Sequence, residues 1–205
     1  MATADELWLA VFQRLCDATA HQFKGALNGV AVNLEVVRSR SGRADGGADV
    51  SAVRPFAEAA AAELESVIQS AEAMLALARP PRRGLATDVA RIVRDVAALA
   101  ARSSAATEAG KRLTVETGVE RLGTTSAPAS VARLAIATAL LAALDVSGEV
   151  VCSAADDGGR PVIRVACGER DGSRFALSDE IVSAAHSAGV HLDISESGAT
   201  ITFPT

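Results

Sequence analysis

Two apolar stripes with the period of an α-helix dominate the first 80 residues. One runs from residue 5 to about 40, with Asp5 as the predicted cap, and the other from about 50 to 78, with Pro55 tolerated near the helix start. Each stripe predicts one long amphipathic helix. The predicted buried positions are Trp8, Phe12, Leu15, Thr19, Phe23, Ala26, Val30, Leu34 and Val37 in the first helix, and Val53, Phe56, Ala60, Leu64, Val67, Ala71, Met74 and Ala78 in the second.

The glycine-rich segment 41–49 predicts a loop between the helices, and Pro80-Pro81 marks the end of the second. The two helices therefore form a hairpin. Because a hairpin alone buries two apolar stripes poorly, we expect a homodimer that forms a four-helix bundle. The alternative is that the C-terminal half folds back over the hairpin. We predict a helical hairpin domain over 1–82 and a second domain over 83–205.

The second domain alternates helical patterns with short strands, which predicts an α/β sandwich with one mixed sheet covered on one face, and an α+β chain as a whole. Turn signals lie at Asp156-Asp157-Gly158-Gly159 and at Ser197-Gly198. The predicted helices are 86–108, 126–146 and 178–188, and the predicted strands are 112–116, 149–154, 161–166, 191–196 and 200–203.

Composition narrows the function classes. The chain is 49% hydrophobic, enough for a sizeable core, and its net charge of -5 argues against a nucleic-acid partner, which requires a basic face. Cys16, Cys152 and Cys167 are too few and too scattered for a disulfide framework or a zinc site. No signal peptide and no apolar run of about 18 residues is evident. We therefore expect a cytoplasmic protein with no membrane partner and no metal of its own.

His21 lies about 180° from the centre of the first apolar stripe, so its imidazole is predicted to face solvent. Gly25 and Gly29 each cost about 1 kcal/mol against Ala in mid-helix, which predicts a low surface that a partner protein can approach. Lys24 is placed to steady a phosphoryl group on His21. The alternative is that the glycines let helices pack and that Lys24 is only solvated. The predicted neighbours of His21 are Arg14, Asp17, Ala18, Lys24, Gly25, Asn28, Gly29 and Val32.

The spacing around His21 resembles the phosphoacceptor helix of sensor histidine kinases. Ala20 precedes the histidine, Leu27 follows six residues later, and the triplet Glu35-Val36-Val37 begins fourteen residues later. The order of elements after residue 84 is similar to the ATP-binding domain of those kinases, and segment 180–204 looks like its final helix and hairpin.

Several positions depart from the kinase pattern. Ala142 stands where the family has a magnesium-binding Asn, and segment 165–169 lacks the Asp that contacts adenine. A glycine-rich lid is missing from the sequence. The resemblance therefore implies that this domain does not bind ATP as a kinase does and that the chain carries no cofactor. Gln22 replaces the acid that often follows the histidine and acts as a base on it during autophosphorylation, and Gly25 replaces the Asn or Thr of phosphatase-active members. The two differences point away from autokinase activity and from phosphatase activity.

The resemblance narrows to dimeric histidine phosphotransferases built on a degenerate kinase scaffold. Their implied role is to accept a phosphoryl group on the histidine from the Asp of a response-regulator receiver, at a magnesium site on that partner, and to pass it to another receiver. A hybrid histidine kinase is a further expected partner. Two alternatives stay open: a pseudokinase-type dimeric scaffold that binds a receiver or kinase without accepting phosphate, and a residual ATP-dependent kinase. His186 and His191 are predicted to be surface or half-buried structural residues.

Overall fold

A computed structural model describes residues 2–41, 50–80, 85–102, 110–168 and 173–205. The described residues form an α+β fold, as the sequence predicts: a helical hairpin precedes a domain with a five-stranded sheet, a two-stranded sheet and three α-helices. Its elements are α1 (Ala4–Ser41), α2 (Val50–Ala78), β1 (Thr87–Asp88), α3 (Val89–Ala100), β2 (Arg112–Val115), a 3₁₀ helix (Thr117–Arg121), β3 (Thr124–Thr125), α4 (Ala129–Val146), β4 (Glu149–Asp157), β5 (Arg160–Cys167), α5 (Asp179–Ser187), β6 (His191–Ser195) and β7 (Gly198–Thr202).

Helix α1 begins with a reciprocal capping arrangement. The backbone N–H of Thr3 donates to Glu6 Oε2 at 2.7 Å, and the backbone N–H of Glu6 donates to Thr3 Oγ1 at 3.3 Å. The first of these bonds lowers the pKa of Glu6. Two orphan donors of the first turn are thereby satisfied. The predicted cap, Asp5, was wrong, because it already lies inside the helix.

The end of the hairpin that carries both the start of α1 and the end of α2 packs into the second domain. Trp8 and Leu15 of α1 and Ala73 and Leu77 of α2 belong to the same apolar core as α3 and α4. The fold-back alternative is therefore realised at this end. At the other end the two helices contact each other, with Ala60 buried between them.

The five-stranded sheet has the order β2-β4-β5-β7-β6. Strands β2 and β4 are parallel, and the other pairs are antiparallel, so the sheet is mixed as predicted. Each central strand has alternate buried residues that point to the side on which α4 packs. They are Val150 and Cys152 in β4, Ile163 and Val165 in β5, and Ala199 and Ile201 in β7.

Several predicted boundaries in the second domain were wrong. The helix predicted over 86–108 starts only at Val89, because Asp88 ends a short strand and its side chain accepts from the N–H of Arg91 as the helix cap. Residues 103–109 and the loop 42–49 lie outside the described residues. The 3₁₀ helix and β3 have no counterpart in the sequence prediction.

The two hairpin turns are tighter than predicted. Gly158 and Gly159 form a two-residue turn with φ of 64° and 90°, so Asp156 and Asp157 belong to β4 instead of the turn. Gly198 opens β7 with φ of 143°, and a Cβ there would clash with the carbonyl oxygen of Val165. The last turn therefore ends one residue earlier than predicted, because only glycine fits at this close approach to β5.

Helix α4 differs from the expectation that no apolar run approaches the length of a membrane span. Within the described ranges it is the one helix long and apolar enough to cross a membrane by length and composition. However, 78% of it is buried inside the fold. Helix α4 is thus apolar on nearly all sides because helices and sheet surround it, as in the core of a globular domain.

Candidate functional site

His21 lies on the exposed side of α1, as its helical phase predicts. In the described part of the chain its ring has no hydrogen-bond or ion-pair partner. The ring is therefore open to a molecule arriving from solvent.

The predicted neighbours of His21 largely share its face of α1. Lys24 and Asn28 are exposed, and Val32 leaves 63% of its surface in solvent. A Cβ built on Gly25, one turn after His21, would have no atom within 4 Å. Ala18, one turn before, is half-buried. The surface around the imidazole is thus low and open, and the exposed aliphatic side chain of Val32 lies about three turns away.

Gly29 has a different role from Gly25. A Cβ on Gly29 would overlap the carboxylate of Glu63, which reaches over from α2. Glu63 Oε2 is buried there without a hydrogen-bond partner among the described residues. Gly29 therefore leaves room for the Glu63 side chain of α2, which is the packing alternative considered for both glycines, whereas Gly25 leaves open surface.

Arg14 is engaged by the second domain. Its Nη2 lies 3.2 Å from Oδ2 of Asp145, near the C-terminal end of α4. Lys111 Nζ donates to the backbone carbonyls of Leu144 and Asp145, which places a cation at the negative end of α4. Because Arg14 precedes His21 by two helical turns, or about 10 Å along the axis, this edge of the second domain borders the His21 surface.

Arg133 of α4 holds the hairpin and the second domain together. Its Nη1 donates to the carbonyl of Arg79 at 3.1 Å, and its guanidinium lies 6.0 Å from the Trp8 ring. Burial lowers the pKa of Arg133, and burial raises the pKa of the nearby Asp95 carboxyl. The Nε of Arg133 is buried with no acceptor among the described residues. The Arg133 guanidinium of α4 thus contacts a side chain of α1 and the backbone just after the end of α2.

A cavity of about 850 Å³ lies beside this junction. Its described lining comes from the end of α2, from α3, from β3 and from the start of α4, with no residue of α1. The cavity is therefore separate from the His21 surface.

The hairpin carries a second apolar stripe that the sequence prediction did not separate from the first. We define the apolar face as Leu27, Leu34, Leu64, Ile68 and Leu75, which are between 44% and 62% exposed. On both helices these residues are displaced in the same rotational sense from the line of α1–α2 contact. For antiparallel helices this places them on one side of the hairpin. The signal was present in the sequence, because residues 57, 61, 64, 68, 71 and 75 are all apolar and spaced alternately by four and three.

Ala142 and segment 165–169 are the positions that the resemblance aligned with the nucleotide site of kinases. Their described residues take part in the packing and hydrogen bonding of the second domain. Ala142 is half-buried on α4. After β5, the N–H of Gly168 donates to the carbonyl of Glu149 at 2.8 Å, and residues 169–172 lie outside the described residues. A methyl group at position 142 offers no oxygen to a magnesium ion.

No family model and no curated protein matches the chain. The solved structures that are similar to it at low identity include the following three. The Acinetobacter baumannii histidine kinase AdeS is 14% identical, with 90% of this chain and 97% of that chain covered and a TM-score of 0.40. Full-length ShkA in complex with AMPPNP is 19% identical, with 98% and 45% covered and a TM-score of 0.36. A bacterial phosphotransferase is 16% identical, with 95% of each chain covered and a TM-score of 0.40.

Proposed function

We propose that this chain is a homodimeric histidine phosphotransfer protein that relays a phosphoryl group between receiver domains through His21, without ATP. The observation that carries the proposal is the imidazole of His21, exposed on α1, unpartnered among the described residues and bordered by the open position of Gly25. A helix that exposes a nucleophile beside a glycine lets a second protein bring an electrophile close to it.

The proposed chemistry requires one group from this chain. A lone pair on a neutral ring nitrogen of His21 attacks the phosphorus of an aspartyl phosphate on the receiver. The new N–P bond forms as the P–O bond to the aspartyl carboxylate breaks, and the carboxylate remains on the receiver. The receiver's magnesium ion offsets charge on the phosphoryl oxygens. Lys24, one turn from His21, offers an ammonium group to the same oxygens.

The docking surface is proposed to extend from His21 in both directions along α1. Val32 supplies exposed apolar area toward the hairpin loop. In the other direction, the Arg14–Asp145 pair supplies a charged margin in which the second domain takes part. In this arrangement the second domain forms part of the surface on which the receiver domain docks.

The proposed dimer is formed by the apolar face. A second copy related by a two-fold axis would cover Leu27, Leu34, Leu64, Ile68 and Leu75 with the same residues and complete a four-helix bundle. His21 lies on the opposite side of α1 from Leu27 and Leu34, so both phosphoacceptors would stay accessible.

Independence from ATP is supported by two features. Ala142 offers no metal ligand, and the Arg133 junction anchors the second domain to the base of the hairpin. A nucleotide titration tests this part, and micromolar ATP binding would favour a residual kinase.

The test of the function is transfer from receiver domains phosphorylated with acetyl phosphate, purified away from the donor and mixed with this protein. We expect acid-labile, alkali-stable label on the wild type and on the matched control His186→Ala, and none on His21→Ala, which should keep its oligomeric state. Receiver binding without label on the wild type would favour the scaffold alternative, and label retained by His21→Ala would refute the assignment of His21.

A further inference from the structure

His186 and His191 meet at the end of α5, although nothing in their sequence pattern suggested a shared site. Their ring centroids lie 5.4 Å apart with an interplanar angle of 63°. Both residues are exposed. This pair is independent of His21 and of the proposed phosphotransfer.

A well-defined turn holds the two rings in place. The N–H of Gly189 donates to the carbonyl of His186 at 3.0 Å, and the N–H of Val190 donates to the carbonyl of Ala185 at 3.0 Å. Gly189 adopts φ of 76°. These are the two bonds and the left-handed residue of a Schellman motif. Because Val190 is buried and His191 begins β6, the turn fixes the second histidine relative to the first.

The spacing of the rings suits one shared metal ion. With a metal–nitrogen distance of about 2.0–2.1 Å, the ion lies about 3.2 Å from each imidazole centroid, and a tetrahedral angle then separates the centroids by about 5.2 Å. The observed 5.4 Å is within a few tenths of an ångström of that value. The C-terminal end of α5 also carries partial negative charge, which favours a cation there.

We propose that His186 and His191 form a two-imidazole site for a divalent cation of the zinc, nickel or copper class. Imidazole nitrogen is a preferred ligand for these metals, in contrast to magnesium and calcium, which favour oxygen. Across the residues that the structure describes, no group of three or more His, Cys, Asp or Glu side chains is placed to hold a metal. Water therefore completes the coordination of an ion bound by the two histidines.

The test is a zinc titration of the full chain in a buffer that does not bind zinc. Binding is measured by calorimetry and by the chemical shifts of the imidazole NMR signals. We expect one zinc per chain, simultaneous shifts of the His186 and His191 signals, and affinity weakened by at least about tenfold in either His186→Asn or His191→Asn. His21→Asn is the matched control and should bind zinc as the wild type does. Binding unaffected by His186→Asn and His191→Asn, or no binding at about 1 mM zinc, would overturn the proposal and leave the pair as an edge-to-face ring contact.

Discussion

Ile68 provides the sharpest test of the proposed dimer, because it lies in the middle of the α2 part of the apolar face and leaves 50% of its surface exposed. Complete burial of an isoleucine side chain contributes about 1.5–3 kcal/mol, so covering the exposed half contributes about 1 kcal/mol. Two symmetric copies then contribute about 2 kcal/mol to the dimer. Ile68→Ala should therefore raise the dimer dissociation constant about 30-fold.

Ile68→Lys should have a larger effect, because it brings two like charges into an apolar interface in addition to losing the apolar contact. Val32→Lys is the matched control. Val32 is also aliphatic and 63% exposed, but it lies on the His21 side of α1.

Sedimentation equilibrium over a dilution series measures the dissociation constant, and circular dichroism checks that each variant is folded. We expect dimeric wild type, a large shift toward monomer for Ile68→Lys, and a dimer unchanged by Val32→Lys. A monomeric wild type, or a dimer that tolerates Ile68→Lys, would refute the assignment of the apolar face to a second copy.

Four further outcomes follow from single residues. Gly25→Ala should raise the free energy of unfolding in urea by about 1 kcal/mol, because the position is helical and open, and should slow receiver-dependent labelling of His21; a faster reaction would contradict the open-surface argument. Gly29→Ala should raise stability less, because the Glu63 carboxylate must move, and the shortfall should disappear in a Glu63→Ala background; identical effects at both glycines would contradict the packing role. Burial raises the pKa of Cys152 to about 12, so the unfolded chain loses this proton first as pH rises, and stability is lost above the ordinary thiol pKa. Between pH 8 and 10 the wild type should lose about 2 kcal/mol more stability than Cys152→Ala, and parallel pH profiles would show that the thiol does not contribute. Gly198→Ala should lower the thermal midpoint clearly, because it combines a positive φ with a clash against Val165, and an unchanged midpoint would show that β5 and β7 can separate there.

The long helices were predictable because α1 and α2 repeat the same apolar spacing over many turns. A few residues that break the spacing do not change the prediction of such a helix. Short elements were less predictable. The cap at Thr3 could have been predicted, because Thr3 and Glu6 have the spacing of a capping box. The short strand Thr87–Asp88 exists because it pairs with Thr124–Thr125, and that distant partner is not visible from local propensity.

The candidate site also combines features that the sequence predicts with features that depend on distant contacts. The exposure of His21 follows from helical phase, so the sequence was sufficient. Gly25 and Gly29 look equivalent in the sequence and differ only because Glu63 of α2 lies over one of them. The engagement of Arg14 by Asp145 also depends on packing between residues 131 positions apart. Such long-range contacts are set by how the second domain docks on the hairpin, which periodicity does not encode.

The most direct test of the central claim is to map the phosphorylated residue after transfer from a phosphorylated receiver in a nucleotide-free reaction. ³¹P NMR and tandem mass spectrometry on the wild-type chain would identify the residue that carries the label. The account predicts phosphohistidine at His21 and no label when ATP replaces the receiver as donor. Label at any other residue, or label from ATP alone, would contradict it.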